Sequence, residues 1–224
     1  LSNFATRILQ AFPQAFPAAA NVDWVGNPVR AEICTLSGPE QRYQGRRGPL
    51  HVLVLGGSLG AVALNELVPA AFAHLDPAQR PQIRHQAGRK HAGKAEETYR
   101  RLGVDAEILP FIDDMAAVYG WADLVICRSG ALTVSELAAA GVASILIPFP
   151  HAVDDHQTAN ARFLSDAGAA VLFQQRDLTP ESFADTLREL LDRSRLQDMA
   201  VKARALSRPD ATGLVVNAIL RGNA

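Results

Sequence analysis

Three short stretches of the 224-residue chain combine residue types that can hold an anion or a sugar. The first, Gly56-Gly57-Ser58-Leu59-Gly60-Ala61, follows the apolar run Val52-Leu53-Val54-Leu55 and opens a segment of helical period. Glycines let backbone approach a ligand closely, and the free N–H groups of a helix start attract phosphate. Gly57 lies in the turn, and Ser58 either adds a hydroxyl to that phosphate or caps the helix. Two other chemistries share parts of this pattern. A dinucleotide fingerprint needs G-x-G-x-x-G and an acidic residue closing the next strand. Here the spacing differs and the next strand closes Arg84-His85-Gln86, which argues against NAD. G-x-S-x-G is also the spacing of a hydrolase nucleophile elbow. However, Asp123 opens its strand, at the wrong end of a sheet for a triad, and Asp154 and His156 are sequence neighbours. The hydrolase reading is the weaker one.

The second stretch is Cys127-Arg128-Ser129-Gly130-Ala131-Leu132-Thr133-Val134-Ser135-Glu136. Ser129, Gly130 and Ala131 put small residues and free amides at a helix start, which suits a diphosphate. Glu136, within the first turns, could accept both hydroxyls of a ribose. Against this, Thr133-x-x-Glu136 matches a capping box, and spacing alone favours the cap. Gly141 is expected to end the helix in a left-handed conformation. The third stretch runs from Pro148 to Gln157. His151, Asp154, Asp155 and His156 invite a metal reading, but neighbours on a helix start rarely converge as ligands. Asp154 or Asp155 more simply caps the helix that follows. Gln157 and Asn160, three apart, would share a face toward the ligand edge, where amides suit sugar hydroxyls.

The elements that must carry these loops are read from periodicity. Strands are expected at His51–Leu55, Gln82–Gln86, Ala106–Leu109, Leu124–Cys127, Ser144–Ile147 and Ala170–Phe173. Helices are expected at Ala61–His74, His91–Leu102, Met115–Tyr119, Leu132–Ala140, Gln157–Asp166 and Pro180–Leu191, with two more near Leu196–Leu206 and Ala211–Leu220. Strands such as Ile145-Leu146-Ile147 are continuously apolar, as strands covered on both faces are. The alternation predicts an α/β fold with a doubly wound parallel sheet, whose ligands bind beyond the carboxyl ends of the strands. All three stretches fall there. The first fifty residues, punctuated by Phe12-Pro13, Phe16-Pro17, Asn27-Pro28 and Gly48-Pro49, read as the tail of an earlier unit plus a linker.

At 48% hydrophobic and 20% charged the chain can bury a real core, so disorder is not expected. Lys+Arg 22 against Asp+Glu 23 leaves a net charge of −1, without the blanket basic field of a nucleic-acid binder. Two cysteines, Cys34 and Cys127, fit a reducing compartment. No run approaches the roughly 20 apolar residues of a membrane span. The chain opens with Leu1 and lacks a signal-peptide plan, so a processed or truncated start is expected.

Taken together, the motifs resemble one family. Arg128-Ser129-Gly130-x-x-Thr133-x-x-Glu136, Gly141, Pro148 and Asp155-x-Gln157-x-x-Asn160-Ala161 are similar to the donor-binding half of GT-B glycosyltransferases. Gly26-Asn27-Pro28-Val29-Arg30, the Gly56–Ala61 loop and Phe111-Ile112-Asp113-Asp114-Met115 narrow the resemblance to family 28. Within it the closest pattern is that of the transferases that move N-acetylglucosamine from UDP-N-acetylglucosamine (UDP-GlcNAc) to lipid I in peptidoglycan synthesis. The resemblance implies a Rossmann-like domain at 31–207, a remnant of an acceptor domain and linker at 1–30, and at 208–224 a helix that packs on that other domain. It implies that Ser58 contacts a donor phosphate, with Gly57 beside it, and that Arg30 reaches the donor from the linker. Backbone at Ile112 would read uracil. Ala131, Leu132, Thr133, Val134, Ser135 and Glu136 would hold diphosphate and ribose, with Ser129 and Gly130 leading in. Gln157 would read the sugar, with His156 and Asn160 as neighbours.

No D-x-D occurs, so the metal–diphosphate handle of the other large glycosyltransferase fold is missing, and neither metal nor cofactor is expected. The family's T-G-G-x-x-G-H segment, general-base histidine and membrane-facing patch are unmatched. The resemblance therefore implies no catalytic residue here, with lipid I and the membrane met through the missing domain. It places the whole enzyme in the cytoplasm, peripheral on the cytoplasmic face of the bacterial inner membrane. Alternatives are another UDP-sugar GT-B transferase or epimerase, or a non-catalytic nucleotide-sugar binding module.

Overall fold

The apolar segments assemble side by side in a computed structural model that describes residues 5–13, 15–19, 21–57, 61–150, 152 and 155–222 (backbone alone at 221 and 222). Strands β3 (His51–Leu55), β4 (Gln82–Gln86), β5 (Glu107–Leu109), β6 (Leu124–Cys127), β7 (Ala143–Leu146) and β8 (Ala170–Leu172) form one sheet. Its order is β5-β4-β3-β6-β7-β8 and all its pairings are parallel. Side chains alternate between faces along a strand, so the continuous apolar runs serve two cores. Val52, Val54, Leu124 and Ile126 face α3 (Val62–Ala73) and α8 (Pro180–Leu190). Leu53, Leu55, Val125 and Cys127 face α5 (Met115–Trp121), α6 (Ala131–Ala140) and α7 (His156–Ser165). Fully burying one such aliphatic side chain stabilises the fold by about 1.5–3 kcal/mol. Helix α4 (Ala92–Arg101) covers the β4–β5 edge, and α9 (Arg193–Ala205) packs on α6.

From β3 the chain winds one way to β4 and β5, then returns beside β3 as β6 and winds the other way. Connections leaving neighbouring β3 and β6 in opposite directions open a crevice at their carboxyl ends. The Gly56 loop and the start of α6 border this crevice.

Residues 5–50 hold more structure than their composition announces. Strands β1 (Ile8–Gln10) and β2 (Val22–Trp24) pair in parallel, and α1 (Ala31–Cys34) and α2 (Pro39–Tyr43) follow. Such short elements leave too few residues for a period to register. Phe12 and Trp24 pack against Phe163 of α7, with ring centroids 5.0 and 6.2 Å apart. The Arg208 guanidinium sits 3.7 Å over the Trp24 ring.

The basic residues of this region are anchors. Arg46 pairs with the buried Asp123 carboxylate, Arg193 lies 3.6 Å from it, and the His51 backbone N–H donates to it at 2.9 Å. Arg42 donates to the carbonyls of Ala140 and Gly141, and Arg204 to that of Ala139, at the C-terminal end of α6. Gly141 ends that helix at φ 62°, ψ 65°, the left-handed cap expected of it. Helix α10 (Ala211–Gly222) leaves Leu214, Val216, Ile219 and Leu220 exposed. Among the described residues no helix is long and apolar enough to cross a membrane.

Candidate functional site

A cavity of about 200 Å³ occupies the switch-point crevice. Its rim carries Gly56 and Gly57 from the loop after β3, Thr133 and Glu136 from α6, and Tyr119 from α5. Gly57 adopts φ 74°, a conformation glycine takes without strain, and the Gly56 N–H donates to the Gln86 carbonyl at 2.9 Å. Ser58 and Gly60 lie outside the described residues, so the expected phosphate hydroxyl has no described position. Cys127 closes the base of the cavity; burial pushes its thiol up to about 12, which makes it an inert wall.

Helix α6 starts one turn earlier than a Thr133 capping box requires. Gly130 is its N-cap, without a side-chain bond, and Thr133 already stands inside the helix. The capping-box reading is thereby overturned. Glu136 is instead buried and held from two sides. Its Oε1 lies 3.3 Å from Arg30 Nη2, and its Oε2 accepts the Tyr119 hydroxyl at 3.0 Å. Nothing described bonds the N–H groups of Ala131, Leu132 and Thr133, so the positive end of α6 stands open to an anion. The linker is fastened to the same helix: Asn27 Nδ2 donates to Ser135 Oγ at 3.0 Å. Ser135 is thus engaged with the linker, Val134 is buried in the core, and Leu132 points to solvent.

Ile112 packs its side chain into the α5–α6 core, and neither of its backbone groups bonds another described residue. Two residues on, Asp114 caps α5 by accepting the Ala117 N–H at 2.9 Å. The base loop therefore leads straight into the helix that carries Tyr119.

The α7 residues lie outside this cavity. Gln157 Oε1 accepts the Phe149 N–H at 2.9 Å, which leaves its amide nitrogen as a donor. Asn160 Nδ2 donates to the Ser129 carbonyl at 3.1 Å and ties α7 to the loop after β6. Asp155 is the N-cap of α7, yet its carboxylate takes the Thr158 hydroxyl at 2.6 Å and no backbone N–H. It is the one non-glycine with positive φ, 49°, among the described residues. His151 and Asp154 of the suspected metal cluster lie outside the described residues; His156 is exposed at the α7 start.

Sequence reasoning gave no role to Tyr119, the last residue of the expected helix Met115–Tyr119, nor to Arg128 beyond its place in the Arg-Ser-Gly motif. The Arg128 guanidinium binds the Ile147 and Pro148 carbonyls at 3.0 and 2.9 Å and Gln175 at 2.6 Å. It locks together the loops after β6 and β7. A larger concavity, about 670 Å³, opens at the opposite pole of the sheet. There Arg84 pairs with Glu107 at 2.7 Å and Arg80 donates to three backbone carbonyls, so its two guanidinium groups are already engaged.

The family profile "Glycosyltransferase family 28 C-terminal domain" matches residues 51–214. A protein of Burkholderia lata is 58% identical over 216 residues, and one of Cupriavidus metallidurans 58% over 212. Both are named UDP-N-acetylglucosamine–N-acetylmuramyl-(pentapeptide) pyrophosphoryl-undecaprenol N-acetylglucosamine transferase. The match covers 95% of this chain, which spans 58% of the length of these relatives. The crystal structure of Acinetobacter baumannii MurG superposes with TM-score 0.89 at 43% identity, covering 98% of this chain and 61% of that one. The kitacinnamycin glycotransferase, at 22% identity and TM-score 0.64, shares the fold.

Proposed function

Because the chain belongs to the glycosyltransferase family 28 C-terminal domain family, we propose that it is the donor-binding part of an inverting N-acetylglucosaminyltransferase. It binds UDP-GlcNAc, and the assembled enzyme joins that sugar to the C4 hydroxyl of the muramyl sugar of lipid I. The observation that carries this reading is Glu136, a carboxylate buried on the wall of the switch-point cavity beside an open helix N-terminus. A carboxylate there accepts two vicinal hydroxyls, while the amides of Ala131–Thr133 and the Gly57 turn receive the diphosphate. Ser58 adds a contact to a phosphate and Arg30 reaches the donor from the linker, with Gly130 and Ser129 shaping the approach. Uracil meets the free backbone groups of Ile112, and Gln157 donates its amide to the sugar, with His156 at its side.

In the transfer itself, the acceptor oxygen attacks the anomeric carbon as UDP departs. The α6 dipole and its backbone donors stabilise the charge that develops on the leaving diphosphate. The base that takes the acceptor proton, the lipid I site and the membrane contact belong to the preceding domain. That division makes 1–30 the end of the acceptor domain and the linker, 31–207 the donor domain, and 208–224 a helix whose exposed Leu214, Ile219 and Leu220 pack on the acceptor domain. The whole enzyme works at the cytoplasmic face of the inner membrane.

Calorimetric titration of the chain with UDP-GlcNAc, UDP-glucose and GDP-mannose tests the reading. Selective heat with UDP-GlcNAc is expected. A folded sample that binds none of the three, or GDP-mannose as tightly, contradicts it.

A further inference from the structure

We propose that Tyr119 is a positioning residue for ribose recognition, holding Glu136 so that its carboxylate presents one oxygen to each hydroxyl of a nucleoside diphosphate's ribose. This rests on the assignment of Glu136 to the ribose given above. Tyr119 is fully buried, yet its hydroxyl reaches the cavity wall and donates to Glu136 Oε2 at 3.0 Å. Arg30 holds the other oxygen at 3.3 Å. A carboxylate oxygen accepts about two hydrogen bonds. With one lone pair of each oxygen committed to the protein, the plane of the carboxylate is fixed and one lone pair per oxygen remains for a diol.

The phenol is suited to this task for two reasons. Burial and the adjacent Glu136 carboxylate push its pKa well above the ordinary tyrosine value, so it stays a donor. Tyr119 also stands on a seven-residue helix that begins at the Asp114 cap, immediately after Ile112. One short rigid element thus joins the backbone that faces the base to the group that orients the ribose carboxylate, and it sets the spacing between the two subsites. A phenylalanine would fill the same volume without a buried hydroxyl that needs a partner. The hydroxyl therefore serves Glu136 rather than packing.

The test compares UDP with 2′,3′-dideoxy-UDP on the wild-type chain, Tyr119→Phe and Glu136→Ala, with binding read by calorimetry and folding by thermal melting. Tyr119→Phe is expected to weaken UDP by about 10- to 150-fold, the scale of one hydrogen bond to a charged group, and to leave dideoxy-UDP within about 2-fold. Equal losses on both ligands, or no loss on either, overturn the positioning role. Glu136→Ala is expected to erase the preference for UDP over dideoxy-UDP. If that preference survives in Glu136→Ala, the ribose assignment itself fails. If only Tyr119→Phe retains it, the assignment stands and the positioning role falls. Should Tyr119→Phe not fold, the wild type still decides. NMR should show the slowly exchanging Tyr119 hydroxyl proton shifting with UDP and not with dideoxy-UDP; an unmoved signal overturns the proposal.

Discussion

Acid should destabilise the fold through His85. This residue of β4 is fully buried, with Nε2 3.0 Å from Asn65 Oδ1 and Nδ1 2.9 Å from the Tyr99 hydroxyl. Asn65 Nδ2 donates to the Ala87 carbonyl at 3.0 Å, so its Oδ1 is the acceptor and His85 carries its proton on Nε2. Nδ1 then accepts from Tyr99. A second proton would have to enter at Nδ1, against a hydroxyl turned as a donor, and would put a charge where no water reaches. Burial accordingly lowers the pKa from 6.5 to about 4. With the folded value depressed, the unfolded chain takes up the proton first. The stabilisation is whole above about pH 6.5 and is lost as pH falls toward 4. One proton over that span, at about 1.4 kcal/mol per pH unit, amounts to about 3 kcal/mol. Chemical unfolding at stepped pH, on wild type and His85→Gln, isolates the effect from the carboxylates that titrate in the same range. The wild-type curve should fall away from the variant's below pH 6.5; parallel curves would refute the reasoning.

Two further outcomes follow from the site and its linker. Glu136→Ala should weaken UDP-GlcNAc by about 1–3 kcal/mol, the range for hydrogen bonds to a charged group, with the fold retained. Calorimetry that finds unchanged affinity beside a lower melting temperature would return Glu136 to a purely structural role. At Gly26, φ is 84° and an added Cβ would sit 2.6 Å from Arg208 Cβ, so Gly26→Ala should cost about 1–3 kcal/mol. A melting temperature equal to wild type's would show that the linker does not need this close approach.

The centre of the sheet was legible because β3, β6 and β7 are buried on both faces. Strands β3, β4 and β6 fall on the residues periodicity assigns, and Ser144–Ile147 is displaced by one, since Ala143 pairs with Leu124. The glycine and Arg-Ser-Gly loops were legible because anion chemistry needs small residues at helix starts. The partnerships inside the site were not. Tyr119 and Glu136 are 17 positions apart, and Arg30 and Glu136 106 apart, so no local pattern relates them. Thr133-x-x-Glu136 misled for the opposite reason: the local match was real, but the helix had already begun at Ala131. The bond from Asn160 Nδ2 to the Ser129 carbonyl, 31 residues away, is likewise beyond any local pattern.

Helix α6 explains why the site forms where it does. Its C-terminal carbonyls receive Arg42 and Arg204, two guanidinium groups from opposite ends of the chain. Cations there complement the negative end of the dipole and fix the helix against α2 and α9. Its N-terminal amides have no described partner, and the N-cap is a glycine that brings no carboxylate or hydroxyl of its own. An acidic or hydroxyl cap would satisfy those donors and raise the stability of the free protein, but it would fill the place a diphosphate needs. The asymmetry therefore leaves binding energy for an anion at the one end that borders the crevice. Glu136, two turns in, carries the opposite charge at a distance set by the helix rise. A ligand that is anionic at one point and rich in hydroxyls at the next meets both requirements, and a nucleoside diphosphate is such a molecule.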